Sequence, residues 1–399
     1  MAEAGSSQEQ EFSELLGFLQ DQKPEVRRFA AEGVLGQTED TDFLDFCRRN
    51  PRSAARPLLR LAEKAEAEAA EANEKASSQA DKSDKAAAIQ AASSTAACVS
   101  ALKALVNLST IPSVQEELVS LNAPKRVTEA LRSGWLEGRA TMAHWYAMLL
   151  ANVSTSAKGQ EAVCGDEGML KFLVAAYVTK PRPPPRDGYE DPLLWLGSLV
   201  VNALVLPEGR KLFAIGENNA LTTIFGELAD RGRRQDMINA VKNICLDSDT
   251  QILWMFQFPR FCYSECHETI MTTDLIAQMA RFLCPWENMN AEAKSLLPGA
   301  MKDSLEQGGA SLTGDVAVRA AAAVSLMGLC RSLAGRDYLR ASGIEQVLRA
   351  WQAEETDGTI KEQLDVVLPA LVLSEDELKA EQDKLAMQES KLSSPAEDP

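Results

Sequence analysis

The chain has 399 residues, room for two or three ordinary domains or for one repeat array. Hydrophobic residues make up 45% and charged residues 25%, the proportions of a folded globular protein. A net charge of −17 excludes a general nucleic-acid binder, which needs a basic face, and disfavours adsorption to an anionic membrane.

The opening stretch, Met1 to Gln20, carries neither a basic nor an apolar leader region, so no secretory signal is expected. No uninterrupted apolar run approaches the ~18 residues of a membrane span. The first helical unit opens at Pro24, a good first-turn residue, continues through Phe29, and closes near Gly33 to Gly36. It belongs to an N-terminal helical cap over 1–62. Arg48, Arg49, Arg52, Arg56 and Arg60 form a basic island with no acid among them, either a solvated face or a contact for an acidic protein.

From Glu63 to Lys85 the text is Ala, Glu, Lys, Ser and Gln, with no Leu, Ile, Val or Phe between Leu61 and Ile89. Helix propensity is high, yet nothing large anchors a core. Residues 63–96 are therefore expected as an exposed helical or disordered insert.

A repeat follows over 97–284. An asparagine returns at Asn107, Asn152, Asn202 and Asn243, at spacings of 45, 50 and 41 residues, and Gly328 fills the same slot in a fifth copy. The next residue is apolar each time (Leu108, Val153, Ala203, Ile244, Leu329), as is the residue two before (Leu105, Leu150, Val200, Val241, Leu326). Eleven positions after the slot stand Leu118, Val163, Phe213, Trp254 and Leu339, and seven after it three copies carry Gly159, Gly209 and Gly335. Helical text with a period of about 40–47 residues is the signature of armadillo or HEAT arrays. The expected fold is all-α, an armadillo/HEAT-like α-solenoid, a right-handed superhelix of about five repeats with terminal caps.

Pro181 to Pro192 cannot be regular helix and reads as a loop between repeats. Residues 285–314, with Pro298-Gly299 and Gly308-Gly309, read as a loop-rich insert. Residues 315–373 form the C-terminal repeat and cap, and 374–399 an acidic tail of frayed helix or disorder.

Catalysis has few parts to work with. The two histidines are His144 and His267, and His267-Glu268 lacks the second histidine of a zinc-protease motif because Met271 stands there. Cys262, Cys266 and His267 form the one metal-like cluster, without a matching second half. The eight cysteines lie in apolar helical text and read as buried thiols of a cytoplasmic protein. No enzyme activity, cofactor or metal is expected.

Binding has more. In a curved array, an asparagine at one repeated slot forms a ladder whose amides can pair with the backbone of an extended peptide. Trp145 and Trp195 each stand seven residues before a slot asparagine, two turns away on the same helix face. Equally, an asparagine near a helix end can bond local backbone, and a tryptophan can be a packing anchor.

The stretch from Asp191 to Asn202 (DPLLWLGSLVVN), followed by Leu206 to Phe213 (LPEGRKLF), resembles the central repeat of the HGH-one, or brain-protein-sixteen-like, family. Arg233-Arg234 with Lys242-Asn243-Ile244-Cys245 is similar to that family's next repeat, with Lys242 for an arginine and Ile244 for one of two cysteines. Val318-Arg319 through Gly335-Arg336 and Gly343-Ile344 resembles its last repeat. The resemblance is specific over 190–260, fair over 315–375 and looser over 100–180. It implies a cytosolic, non-enzymatic armadillo-like adaptor that helps translation elongation factor two to fold, together with the cytosolic chaperonin. Hsp70 and Hsp90 are further candidate partners. Asn107, Asn152, Asn202 and Asn243 are the expected groove residues, with Trp145, Trp195, Arg233 and Arg234 beside them. The alternative is an armadillo-type Hsp70 nucleotide-exchange factor or another protein-binding scaffold. A nuclear-import adaptor would pair tryptophan and asparagine at i,i+4 rather than at the i,i+7 of this sequence.

Overall fold

The computed structural model describes residues 2–78, 85–136, 142–179, 191–214, 220–246, 270–374 and 376–377. Among these the chain is all-helical, with 21 α-helices and no strand. Trp254, the Cys262/Cys266/His267 cluster, the proline run over 181–190 and the acidic tail from 378 lie outside the described residues. The chain divides into two compact units, Met1–Gly209 and Arg210–Pro399.

The first unit contains α1 (Ala2–Phe18), α2 (Pro24–Gln37), α3 (Thr41–Arg49), α4 (Pro51–Ser78), α5 (Lys85–Leu108), α6 (Pro112–Ser120), α7 (Ala123–Leu136), α8 (Ala143–Val153), α9 (Ala157–Cys164), α10 (Glu167–Val178) and α11 (Leu196–Ala203). Next in the chain comes α12 (Pro207–Ala214). Starts are written locally. Pro24 and Pro112 stand in the first turns of α2 and α6, while the side chains of Asp40, Ser156 and Asp166 cap α3, α9 and α10. Helix α2 packs on α5, α5 on α8 and α8 on α11, while the shorter α3, α6 and α9 form a second row.

Over 63–78 the Ala/Glu/Lys run is helical, one of the two expected forms, but packed rather than exposed along one face; 79–84 lie outside the described residues. The run continues α4, which lies along α5 as the most extensive helix pair among the described residues. Ala62, Ala65, Ala69 and Ala72 are buried on one face of α4, opposite buried Ala91, Ala97, Ala101 and Ala104 of α5. Their spacing is that of one helix face, and small side chains let the two backbones approach closely. Three of the five glutamates are engaged by neighbouring helices as well, while Glu71 and Glu74 stay exposed. Glu63 takes Arg126 Nε at 2.6 Å, Glu66 accepts from Tyr146 Oη at 2.5 Å, and Glu68 pairs with Arg27 at 2.5 Å. Ala87–Leu108 is long and apolar enough to cross a bilayer by composition, but here it packs against α2, α4 and α8.

The second unit contains α13 (Ala220–Phe225), a 3-10 turn (Gly226–Ala229), α14 (Arg234–Cys245), α15 (Leu275–Leu283), a second 3-10 turn (Trp286–Asn288), α16 (Ala291–Ser295), α17 (Gly299–Gln307), α18 (Val316–Cys330), α19 (Leu333–Ser342), α20 (Ile344–Glu354) and α21 (Gly358–Val372). Helix α14 packs on α18 and α18 on α21, with α15 against α17 and α20. The expected loop over 285–314 thus carries two helices. Leu297, Met301 and Leu305 are buried, and the amides of Ser311 and Thr313 donate to Arg281 and Phe282 carbonyls at 3.1 and 2.8 Å.

One polar node lies deep in this unit. Arg319 grips Glu355 through Nε and Nη2 at 2.8 and 3.0 Å, Trp351 Nε1 donates to it at 2.7 Å, and the amides of Thr356 and Asp357 donate at 2.9 Å. Burial raises the Glu355 carboxyl, but these five donors outweigh it and hold the group at about 2.

Candidate protein-binding surface

The repeated slot is the last turn of α5, α8 and α11, and its geometry recurs. Asn152 Nδ2 donates to the Val106 carbonyl at 3.1 Å and to Ser109 Oγ at 3.0 Å. Asn202 Nδ2 donates to the Ala151 carbonyl at 3.4 Å and to Ser154 Oγ at 3.0 Å. Each amide therefore reaches the residue before the preceding slot and the serine two after it. Ser109 and Ser154 in turn donate to those same carbonyls, at 2.7 and 2.8 Å. Asn107 Nδ2 donates to Thr38 Oγ1 at 2.8 Å, and Thr38 donates to the Leu35 carbonyl at 2.7 Å. Thr38 and Leu35 flank Gly36 as Ser109 and Val106 flank Asn107, so Gly36 is a further slot in α2 that the sequence reading missed.

These bonds fix the orientation of the amides. A carbonyl only accepts, so the NH2 of Asn152 and of Asn202 points into the preceding helix end and Oδ1 points away. No donor among the described residues reaches Oδ1 of Asn107, Asn152 or Asn202. The structural role open in the sequence is thus filled by the NH2 end of the side chain, which leaves the Oδ1 end without a bond among the described residues. Asn243 occupies the same place in α14, is half-buried, and has bonded partners. In α18 the slot is filled by close approach instead: a Cβ on Gly328 would lie 2.6 Å from the Cys245 carbonyl oxygen.

The apolar positions of the motif are core. Leu105, Leu150, Val200, Val241 and Leu326 are buried, as are Leu108, Val153, Ala203, Ile244 and Leu329. So are Leu118, Val163, Phe213 and Leu339 eleven residues after the slot. The glycines seven after it sit against backbone. A Cβ on Gly159, Gly209 or Gly335 would lie 2.7, 2.8 or 3.0 Å from the carbonyl carbon of Val153, Ala203 or Leu329, and closer still to the oxygen.

What the packed rows leave open is one line per helix: Val99, Lys103 and Asn107 on α5, Trp145, Met148 and Asn152 on α8, and Trp195, Ser198 and Asn202 at α11. Trp195 is 38% exposed, and Trp145 is half-buried beneath Lys103, whose Nζ lies 5.0 Å from the ring centroid. Phe29, seven residues before Gly36 on α2, is 61% exposed with Arg28 stacked on it at 4.3 Å. It extends the aromatic positions by one helix. A search for slots by asparagine passes over it.

Arg233 is placed inside the fold. It is 1% exposed and paired with buried Glu227 at 3.2 Å, so its side chain is not presented to a partner. Arg234 is half-buried, donates to the Leu228 carbonyl at 2.9 Å and stacks on Phe282 at 4.8 Å; burial and neighbouring Arg231 lower its pKa. The arginine island is partly neutralised, with Arg48 paired to Asp45, Arg49 to Glu9 and Arg52 to Glu117.

No cluster of three or more metal-ligating side chains occurs among the described residues. Cys47, Cys98, Cys164, Cys245, Cys284 and Cys330 are buried free thiols. Burial pushes Cys47, Cys284 and Cys330 up to about 12 and Cys164 up to about 11, which leaves them protonated and unreactive. The chain matches no known protein-family profile and no curated protein.

Proposed function

We propose that the chain is an armadillo-like α-solenoid, a right-handed superhelix of about five repeats with terminal caps, and a non-enzymatic adaptor that binds a client protein on the face formed by α2, α5, α8 and α11. The observation that carries this reading is the coincidence on one face of three outward asparagine carbonyls with Phe29, Trp145 and Trp195. A ladder of fixed acceptors beside aromatic side chains suits a backbone N–H edge with apolar side chains. Such edges are what aggregation-prone folding intermediates expose.

The client is translation elongation factor two and the cooperating machine the cytosolic chaperonin, in the cytoplasm; these identities rest on the resemblance of the 190–260 and 315–375 segments. Capture of tagged protein from lysate, with partners identified by mass spectrometry, tests them. The factor and chaperonin subunits should be recovered by the wild type, and the factor several-fold less by Trp195→Ala, whose side chain is exposed and whose loss leaves thermal unfolding within about 2 °C. Recovery of neither would refute the reading, and stimulated nucleotide release from purified Hsp70 would favour the exchange-factor alternative.

A further inference from the structure

Resting on that reading of the face, we infer that its ligand is an extended apolar segment bearing a carboxylate, which seats at Lys103 and Trp145. Residues 97–108, 143–153 and 196–203, which build most of the face, contain no acidic residue at all in a chain with 58 of them. Their single ammonium is Lys103, and their one imidazole, His144, is buried. Among the described residues Lys103 has no carboxylate within ion-pair distance; its neighbour is the Trp145 ring. The next cation along the face, Arg28 on α2, is by contrast paired with Glu32 at 3.2 Å.

A ligand covering this face removes Lys103 from water. A purely apolar segment would leave the ammonium with only a ring face, and a basic one would repel it. A carboxylate gives it a charge-assisted hydrogen bond over an aromatic wall. Glu32 on α2 repels the same carboxylate, which places it at the α5–α8 seam. The backbone N–H groups of the segment meet the Oδ1 atoms of Asn107, Asn152 and Asn202, held rigid by the bonds behind them.

The test uses three fluorescein-labelled peptides of alternating Leu and Ser, differing in one central residue, Asp, Asn or Lys, titrated with the full chain by fluorescence anisotropy. The Asp peptide should bind about tenfold or more tighter than the Asn peptide, with the Lys peptide weakest. Lys103→Glu should reverse the order of Asp and Lys, and Lys103→Met should abolish the ranking, both with unchanged thermal midpoints. Equal binding of all three peptides, or a ranking indifferent to Lys103→Glu, overturns charge selection while leaving the client-binding face intact. Binding of none of them overturns recognition of extended segments, and capture of the elongation factor judges the adaptor reading separately. A dimer of the chain that Lys103→Glu dissociates would mean that the face is occupied by a second copy, which also overturns the proposal.

Discussion

Replacing Gly159 by alanine adds one methyl group where the structure leaves no room for it. The new Cβ would lie 2.7 Å from the Val153 carbonyl carbon, against the ~3.5–4.0 Å of a comfortable carbon contact, so α9 must retreat from α8 by about 1 Å. The obstacle is backbone rather than the tip of a flexible side chain, and buried Val163 and Cys164 would be drawn out of register with it. Overpacking of this kind costs ~1–3 kcal/mol and more when a main chain must move, while the helix propensity of alanine returns about 1 kcal/mol. The net loss should be ~2–3 kcal/mol, or about 5–10 °C in the thermal midpoint of a unit of this size. Gly36→Ala is the matched control, since nothing lies within 4 Å of its Cβ position in α2. It should raise the midpoint by about 2–4 °C through helix propensity alone. Thermal unfolding followed by circular dichroism reads both. A Gly159→Ala protein as stable as the wild type would show that the repeated glycine is not demanded by the contact of α9 with the end of α8.

Asn152→Ala removes the bonds to Val106 and Ser109 and should cost about 1 kcal/mol; Asn152→Asp, which sets a carboxylate against a carbonyl, should cost more, and equal urea midpoints for the two would refute the assigned amide orientation. For Glu355 the folded value of about 2 lies below the ordinary 4.5, so its contribution of roughly 3 kcal/mol is complete above pH 4.5 and lost as pH falls toward 2. The stability gap between wild type and Glu355→Gln should therefore be widest near neutral pH and close below pH 3; a gap independent of pH would contradict the network drawn around it.

The apolar positions of the repeat were legible because each one among the described residues is buried for the same reason, and burial by large residues leaves a periodic trace. Gly36 was not legible: it carries no side-chain amide, and the long α4–α5 pair separates it from Asn107 by more than any interval between the four asparagines. The α4–α5 interface was misread because alanine is at once a helix former and, when two helices meet closely, the best core residue available. Its signal is the spacing of Ala62, Ala65, Ala69 and Ala72 rather than their size. In 285–314 Pro298 and Gly308 mark the ends of α17 while Asn290 caps α16, and the density of glycine and proline hid both short helices. Arg233 was misassigned because its partner, Glu227, lies one turn-rich segment earlier, and pairing across a turn has no periodicity to detect.

Each slot asparagine of the first unit donates toward residues synthesised before it: Asn107 to Thr38, Asn152 to Val106 and Ser109, Asn202 to Ala151 and Ser154. On a ribosome, the slot asparagine of each emerging helix finds its acceptors already made, whereas Gln115 of α6 must wait for the carbonyl of Asn152. Assembly can then proceed in the order of translation, with each docked helix serving as the template for the next.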